Sequence, residues 1–134
     1  ERPGRRDDEP RAATAPAAAG GASAMDQARD HFRARRHAEA AAAYRRATRE
    51  NPSNARAFAG LGASLLAMGR AREAITAYQQ AVRLSPSSSG YHAALGRAYL
   101  TAGNRAAAAA SYRRALQLSP NNAAAIEGLR RAGG

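Results

Sequence analysis

From about Asp26 onward, apolar residues recur at spacings of three and four, the period of a helix with one buried face. Phe58, Leu61, Leu65 and Leu66 form one such stripe, and Ala74, Ile75, Tyr78, Ala81 and Val82 form the next. Gly69 stands between them, and Gly103 follows the next helix of the first kind. Both are places where a left-handed C-terminal turn favours glycine. Pro86 stops the second stripe, and Ser87 or Ser88 is placed to cap the helix that follows. No strand is predicted. Residues 1–22 have a different texture: Pro3, Pro10 and Pro16 interrupt any helix and there is no apolar face, which predicts a disordered linker.

The punctuation is periodic. Pro52, Pro86 and Pro120 are 34 residues apart, twice. The same period links Ala40, Ala74 and Ala108; Tyr44, Tyr78 and Tyr112; Ala47, Ala81 and Ala115; and Leu61, Leu95 and Leu129. The middle unit reads Phe58-x2-Leu61-Gly62-x2-Leu65, then Ala74-x3-Tyr78, then Pro86; the next reads His92-x2-Leu95-Gly96-x2-Tyr99, then Ala108-x3-Tyr112, then Pro120. This pattern resembles the tetratricopeptide repeat. The first unit keeps Ala40-x3-Tyr44 and Pro52 but is degenerate before them, with Ala24, Gln27, Ala28 and His31 in the signature columns. The resemblance implies an all-α, right-handed α-solenoid of antiparallel hairpins with about seven helices. The domain is expected over residues 23–134, with repeats near 21–54, 55–88 and 89–122. An amphipathic helix over 123–132, carrying Ile126 and Leu129, is expected to cover the last hairpin.

Gly62 and Gly96 fall inside helices, where glycine costs about 0.5–1 kcal/mol relative to alanine. The family pattern offsets this by close packing, and the expected partners across the hairpin are the small residues Ala74 and Ala108. The glycines, alanine columns and tyrosines are therefore read as packing residues.

Composition adds little to the fold but shapes the functional reading. Aromatics are 5% of the chain, too few for one large core, and repeat stacking asks less of any single contact. All 21 basic residues are arginine, against 10 acids, for a net charge of +11. Arginine in every basic position and the alanine excess point to a GC-rich, bacterial genome, and so weaken the argument that arginine chemistry was selected. Residues 1–20 are electrically neutral, so the charge sits in the repeats. Cysteine is absent, which excludes a disulfide framework and leaves compartment open between cytoplasm, slightly favoured, and periplasm. No apolar run reaches the roughly 18 residues of a membrane span. A first residue Glu1 in place of methionine raises the expectation of a domain from a larger or membrane-attached protein.

Catalytic chemistry finds no constellation in the sequence. His31 and His37 are six apart, off one helix face, and His92 stands in a large-residue column as a packing residue. The acids do not pair as an acid–base couple, and Ser85–Ser89 reads as an inter-repeat turn. No cofactor, metal or catalytic residue is expected, and the reading is of a non-enzyme.

The resemblance implies that the first helix of each repeat lines a concave groove. By phase, the partner-binding positions are Met25, Arg29, Phe32 and Arg33 in the first repeat and Arg56, Ala59, Ala63 and Leu66 in the second. The third repeat supplies Ala93, Arg97 and Leu100, and the final helix Glu127 and Arg131. Arginine mixed with small and apolar residues suits an acidic or amphipathic peptide or helix of a partner protein. Chaperone-binding members of the family grip a C-terminal carboxylate with a Lys/Asn/Arg clamp. The matching positions here are Met25, Arg29, Gly60, Gly90 and Ala94, of which only Arg29 serves, so that clamp is not expected. The expectation is therefore a scaffold within a bacterial assembly of the envelope, motility or pilus, secretion or signalling kind. Nucleic-acid binding is the alternative that the net charge raises, against arginines spread over both helices of each hairpin and no interleaved aromatics. Self-association through the final helix or the weak first hairpin is the other.

Overall fold

The structure is a computed structural model and describes residues 23–133; the expected linker over 1–22 lies outside them. Seven helices follow one another among the described residues: α1 (Ala24–Arg33), α2 (His37–Glu50), α3 (Ala55–Ala67), α4 (Ala71–Leu84), α5 (Ser89–Thr101), α6 (Arg105–Leu118) and α7 (Ala123–Arg131). None is long and apolar enough to cross a membrane.

Each helix starts and stops for a reason visible in its column. Asn54, Ser88 and Asn122 share one column, and each side chain accepts a hydrogen bond from a backbone N–H of the helix it opens, at Ala57, Tyr91 and Ala125. Of the two expected caps Ser87 and Ser88, the structure uses Ser88. α1 begins three residues later in its column, with Ser23 accepting from the Asp26 N–H at 3.0 Å, and it has 10 residues where α3 and α5 have 13. α2, α4 and α6 each end one residue short of a C-cap, Asn51, Ser85 or Ser119, that precedes the column proline. Between the two helices of a hairpin the chain turns through a residue of positive φ: Arg35 at 62°, Gly69 at 79° and Gly103 at 88°.

Each helix packs on the next in the chain. In addition the backbones of α1 and α3, of α3 and α5, and of α5 and α7 come close, while those of α2, α4 and α6 do not; α2 reaches α4 through the long Arg45–Glu73 ion pair at 3.8 Å. The odd helices are thus crowded on the inside of a curved stack and the even helices are splayed on the outside. That makes the right-handed solenoid concave along α1, α3, α5 and α7.

The core is built from small residues around three tyrosines. Ala40, Ala74 and Ala108 are fully buried, and Tyr44, Tyr78 and Tyr112 nearly so. A Cβ on Gly62 would lie 2.8 Å from the Tyr78 ring, and one on Gly96 would lie 2.9 Å from the Tyr112 ring. This corrects the expected packing: the interior glycines make room for the tyrosine rings of the facing helix, not for Ala74 and Ala108. The following repeat gives way too. A Cβ on Gly60 would overlap Tyr44, and one on Gly128 would overlap Tyr112. The Tyr112 ring therefore sits between α5 and α7, against a glycine on each.

Polar contacts tie the repeats together at their ends. His92 is buried, and its Nε2–H donates to the Pro86 carbonyl at 2.9 Å, holding α5 to the end of the preceding repeat. Asn122 donates to Ser89 Oγ at 2.7 Å, and Ser89 donates to the Ala115 carbonyl at 2.9 Å, which links α5, α6 and α7.

Candidate functional site

The inner helices supply the residues of a groove because their outward phase faces the concavity. Its larger hollow, about 620 Å³, is lined by Ala93, Arg97, Leu100, Glu127 and Arg131 among the expected positions. A smaller one, about 160 Å³, is lined by Phe32, Ala63, Leu66 and again Arg97. The structure therefore brings together eight of the expected residues. Met25, Arg29, Arg33, Arg56 and Ala59 line neither hollow. Met25 instead packs on the buried Ala24, Ala47 and Ala57, and Ala59 packs against the main core. Ala93 is itself buried, so it shapes the larger hollow as part of its wall.

The arginines differ in what already holds them. Arg29 donates to Asp26 at 2.7 Å, Arg33 to Asp30 at 2.6 Å, and Arg131 to Glu127 at 3.1 Å. Ser23 hydrogen bonds and then Arg29 hold the Asp26 carboxyl below its usual range; Arg130 and Arg131 do the same for Glu127. Arg97 is exposed and has no acid partner among the described residues, because the positions one turn away are Ala93, Ala94, Leu100 and Thr101. On the outer face, Arg45 pairs with Glu73 and Arg46 with Glu50.

Two residues that sequence reasoning assigned to packing alone belong to this site. Tyr78 lines both hollows and Tyr112 lines the larger one, and neither hydroxyl has a hydrogen-bond partner among the described residues. Burial pushes the Tyr78 phenol up to about 12 and raises that of Tyr112, with the Arg97 charge opposing both. Both are therefore neutral donors at neutral pH. The 34-residue period marked these tyrosines, but only the position of the neighbouring repeat shows that their rings reach the groove floor. His31 accepts from Arg36 at 3.1 Å and His37 lies edge-on to Phe32, so the two histidines have separate local roles.

The profile of the tetratricopeptide repeat matches residues 25–89 and again 60–123. The chain belongs to the tetratricopeptide-repeat family. No curated protein matches it in sequence. Among solved structures, the second tetratricopeptide domain of human RPAP3, in complex with the HSP70 peptide SGPTIEEVD, is 25% identical; the match covers 84% of this chain and 93% of that one, with a TM-score of 0.81. The Yersinia enterocolitica type III secretion chaperone SycD, in complex with a peptide of the translocator YopD, is 19% identical, covers 82% and 89%, and has a TM-score of 0.76. The second of these likenesses shows the tetratricopeptide fold alone. Repeats of this family act in general as interaction modules, and peptides are bound by both of these domains.

Proposed function

We propose that this domain is a non-catalytic scaffold that holds an acidic or amphipathic segment of a partner protein in its concave groove. The observation that carries this reading is the pair of hollows that share Arg97, an arginine without an acid partner among the described residues, on a wall of small and apolar residues. Peptide-bound neighbours of the same fold support it. A chaperone-tail clamp is not part of the proposal. Gly60, Gly90 and Ala94 offer no polar side chain, and Arg29 is held by Asp26. The all-arginine, alanine-rich composition supports a bacterial setting, and membership of the family is what implies an envelope, motility or pilus, secretion or signalling assembly there.

The test is a quantitative pull-down with the wild-type domain and with Arg29→Glu/Arg97→Glu. Loss of the enriched partners in the double variant is expected. Retention of the same partners at the same strength would refute the groove assignment. A second reading, self-association through α7, is favoured by one observation: Ile126 is 53% exposed beside Leu116 and Leu129. Light scattering separates the two, since a monomer unchanged by Ile126→Glu leaves no role for that face in assembly.

A further inference from the structure

The groove reading leaves open what chemical feature the partner must present, and three observations on the C-terminal half of the groove narrow it. The first is the unpaired charge. Arg29, Arg33 and Arg131 each have a carboxylate one turn away on their own helix, so a ligand acid gains little by displacing it. Arg97 has none, and its guanidinium presents a fork of donors that matches a carboxylate in two bonds.

The second is the pair of phenols. Tyr78 is 5% exposed and Tyr112 is 3% exposed, both line the larger hollow, and neither hydroxyl is hydrogen-bonded among the described residues. Neither hydroxyl is among the buried unpartnered atoms of the described residues, so each opens onto the hollow it lines and is free to donate to a ligand there. Arg97, Tyr78 and Tyr112 all line this one hollow, and the Arg97 charge is near enough to act on both phenols. Arg97 can only donate and each neutral phenol has a proton to donate, so an ionised carboxylate, which only accepts, is the side-chain group that fits; the Glu127 carboxylate on the wall of the same hollow is already held by Arg130 and Arg131.

The third is position. Arg97 and Tyr78 line both hollows, so an acid bound between them sits where the two meet, with space for neighbouring residues on each side. Phe32, Ala63 and Leu66 make the smaller hollow apolar, and Ala93, Ala94 and Leu100 do the same for part of the larger. A chain end would fill one hollow and leave the other empty.

We propose that Arg97, Tyr78 and Tyr112 form a subsite for an internal aspartate or glutamate of a partner segment, with apolar residues on both sides of that acid seated in the two hollows. This rests on the groove reading above. It differs from recognition of a terminal carboxylate, and it uses a different part of the groove from Met25 and Arg29.

The probe is a phage-displayed library of random dodecapeptides selected on the wild-type domain. The selected sequences are resynthesised with a fluorophore and capped ends and measured by anisotropy. They are expected to share an acid between apolar residues. Changing that acid to its amide should weaken binding to wild type by about tenfold and binding to Arg97→Gln by less than about twofold, since the contact is already gone there. Arg97→Lys should recover part of the loss, Tyr78→Phe with Tyr112→Phe should reproduce part of it, and Arg49→Gln on the outer face should change nothing. Circular dichroism and thermal melting confirm that each variant is folded. Equal effects of the acid-to-amide change on wild type and Arg97→Gln overturn the subsite. So does affinity that requires a free C-terminal carboxylate. A selection that returns no sequence whose binding responds to Ala63→Trp overturns the groove reading itself, and the subsite with it.

Discussion

The turn inside the first hairpin is strained where its counterparts are not, and replacing Arg35 with glycine should stabilise the domain. Arg35, Gly69 and Gly103 occupy one column and close the same turn. The N–H groups of Arg35, Gly69 and Gly103 donate to Phe32, Leu66 and Leu100, and those of Arg36, Arg70 and Asn104 donate to His31, Leu65 and Tyr99. All three residues have positive φ, but only Arg35 carries a side chain. That side chain is exposed and makes no hydrogen bond or ion pair among the described residues. A Cβ at Gly69 or Gly103 would meet nothing within 4 Å, so the column is open and the cost at Arg35 lies in the backbone alone. Left-handed backbone costs a side-chain-bearing residue about 1–2 kcal/mol. Glycine gives back about 0.5–1 kcal/mol through the greater freedom of the unfolded chain. Arg35→Gly should then stabilise by about 0.5–1 kcal/mol, a rise in Tm of about 2–6 °C for a domain near 100 residues. Gly69→Arg should lower Tm by a similar amount. Calorimetry measures both, and amide exchange in α1 locates the gain, since a terminal hairpin can open on its own. A lower Tm for Arg35→Gly, or an unchanged one for Gly69→Arg, would refute the argument.

Gly62→Val should overpack the Tyr78 ring and cost about 1–3 kcal/mol by urea denaturation; an unchanged midpoint contradicts the close approach seen there. Asn122→Ala removes both the cap of α7 and the donor to Ser89, so it should lower stability by about 1–2 kcal/mol and expose α7 first to amide exchange. Loss of protection elsewhere before α7 would count against that. Arg70 opens α4 with no side-chain cap where Asn104 caps α6, so Arg70→Asn should add about 0.5–1 kcal/mol, read from the same denaturation curves. The Tyr78 phenol ionises near 10.0 when unfolded and is pushed up to about 12 when folded. In that window the folded state keeps a proton that the unfolded chain releases, so stability is full below 10.0 and falls as pH rises toward 12. The loss is about 2–3 kcal/mol at most, and Tyr78→Phe should make the alkaline slope shallower. Identical slopes in the two proteins would exclude Tyr78 as its source.

The hairpins were legible in the sequence because a 34-residue period without insertion repeats the helix boundaries of every unit except the start of α1, as the spacing of the prolines and of the tyrosine and alanine columns shows. The register of each tyrosine was not. Gly62 and Tyr78 lie in one repeat, but the pairs Tyr44–Gly60 and Tyr112–Gly128 cross from one repeat to the next, and no spacing within a repeat reveals that contact. Groove residues followed from helix phase in the second half of the domain, where Ala93, Arg97 and Leu100 share one hollow with Glu127 and Arg131. Phase was a poorer guide in α1. That helix is one turn shorter, and Met25, near its start, is drawn into packing with Ala47 and Ala57.

Tyr78 and Tyr112 each close a hairpin and line the concave hollows, so under the proposed function packing and recognition use one set of residues. Gly62, Gly96 and Gly128 make room for the Tyr78 and Tyr112 rings, and both rings line the concave side. What differs along the solenoid is the charge set around that repeated floor. At Tyr44 the nearby arginines Arg29 and Arg33 are held by Asp26 and Asp30 on α1. At Tyr78 the nearby arginine is Arg97, held by nothing on α5. A surface ion pair is worth little to stability, about 0–1 kcal/mol, so the acids on α1 matter less for folding than for cancelling the charge a ligand would meet. The inner helix of the degenerate first repeat thus has its arginines paired, as α7 has Arg131 paired with Glu127, and under the proposed function the binding of an acid falls on Arg97 in the third repeat.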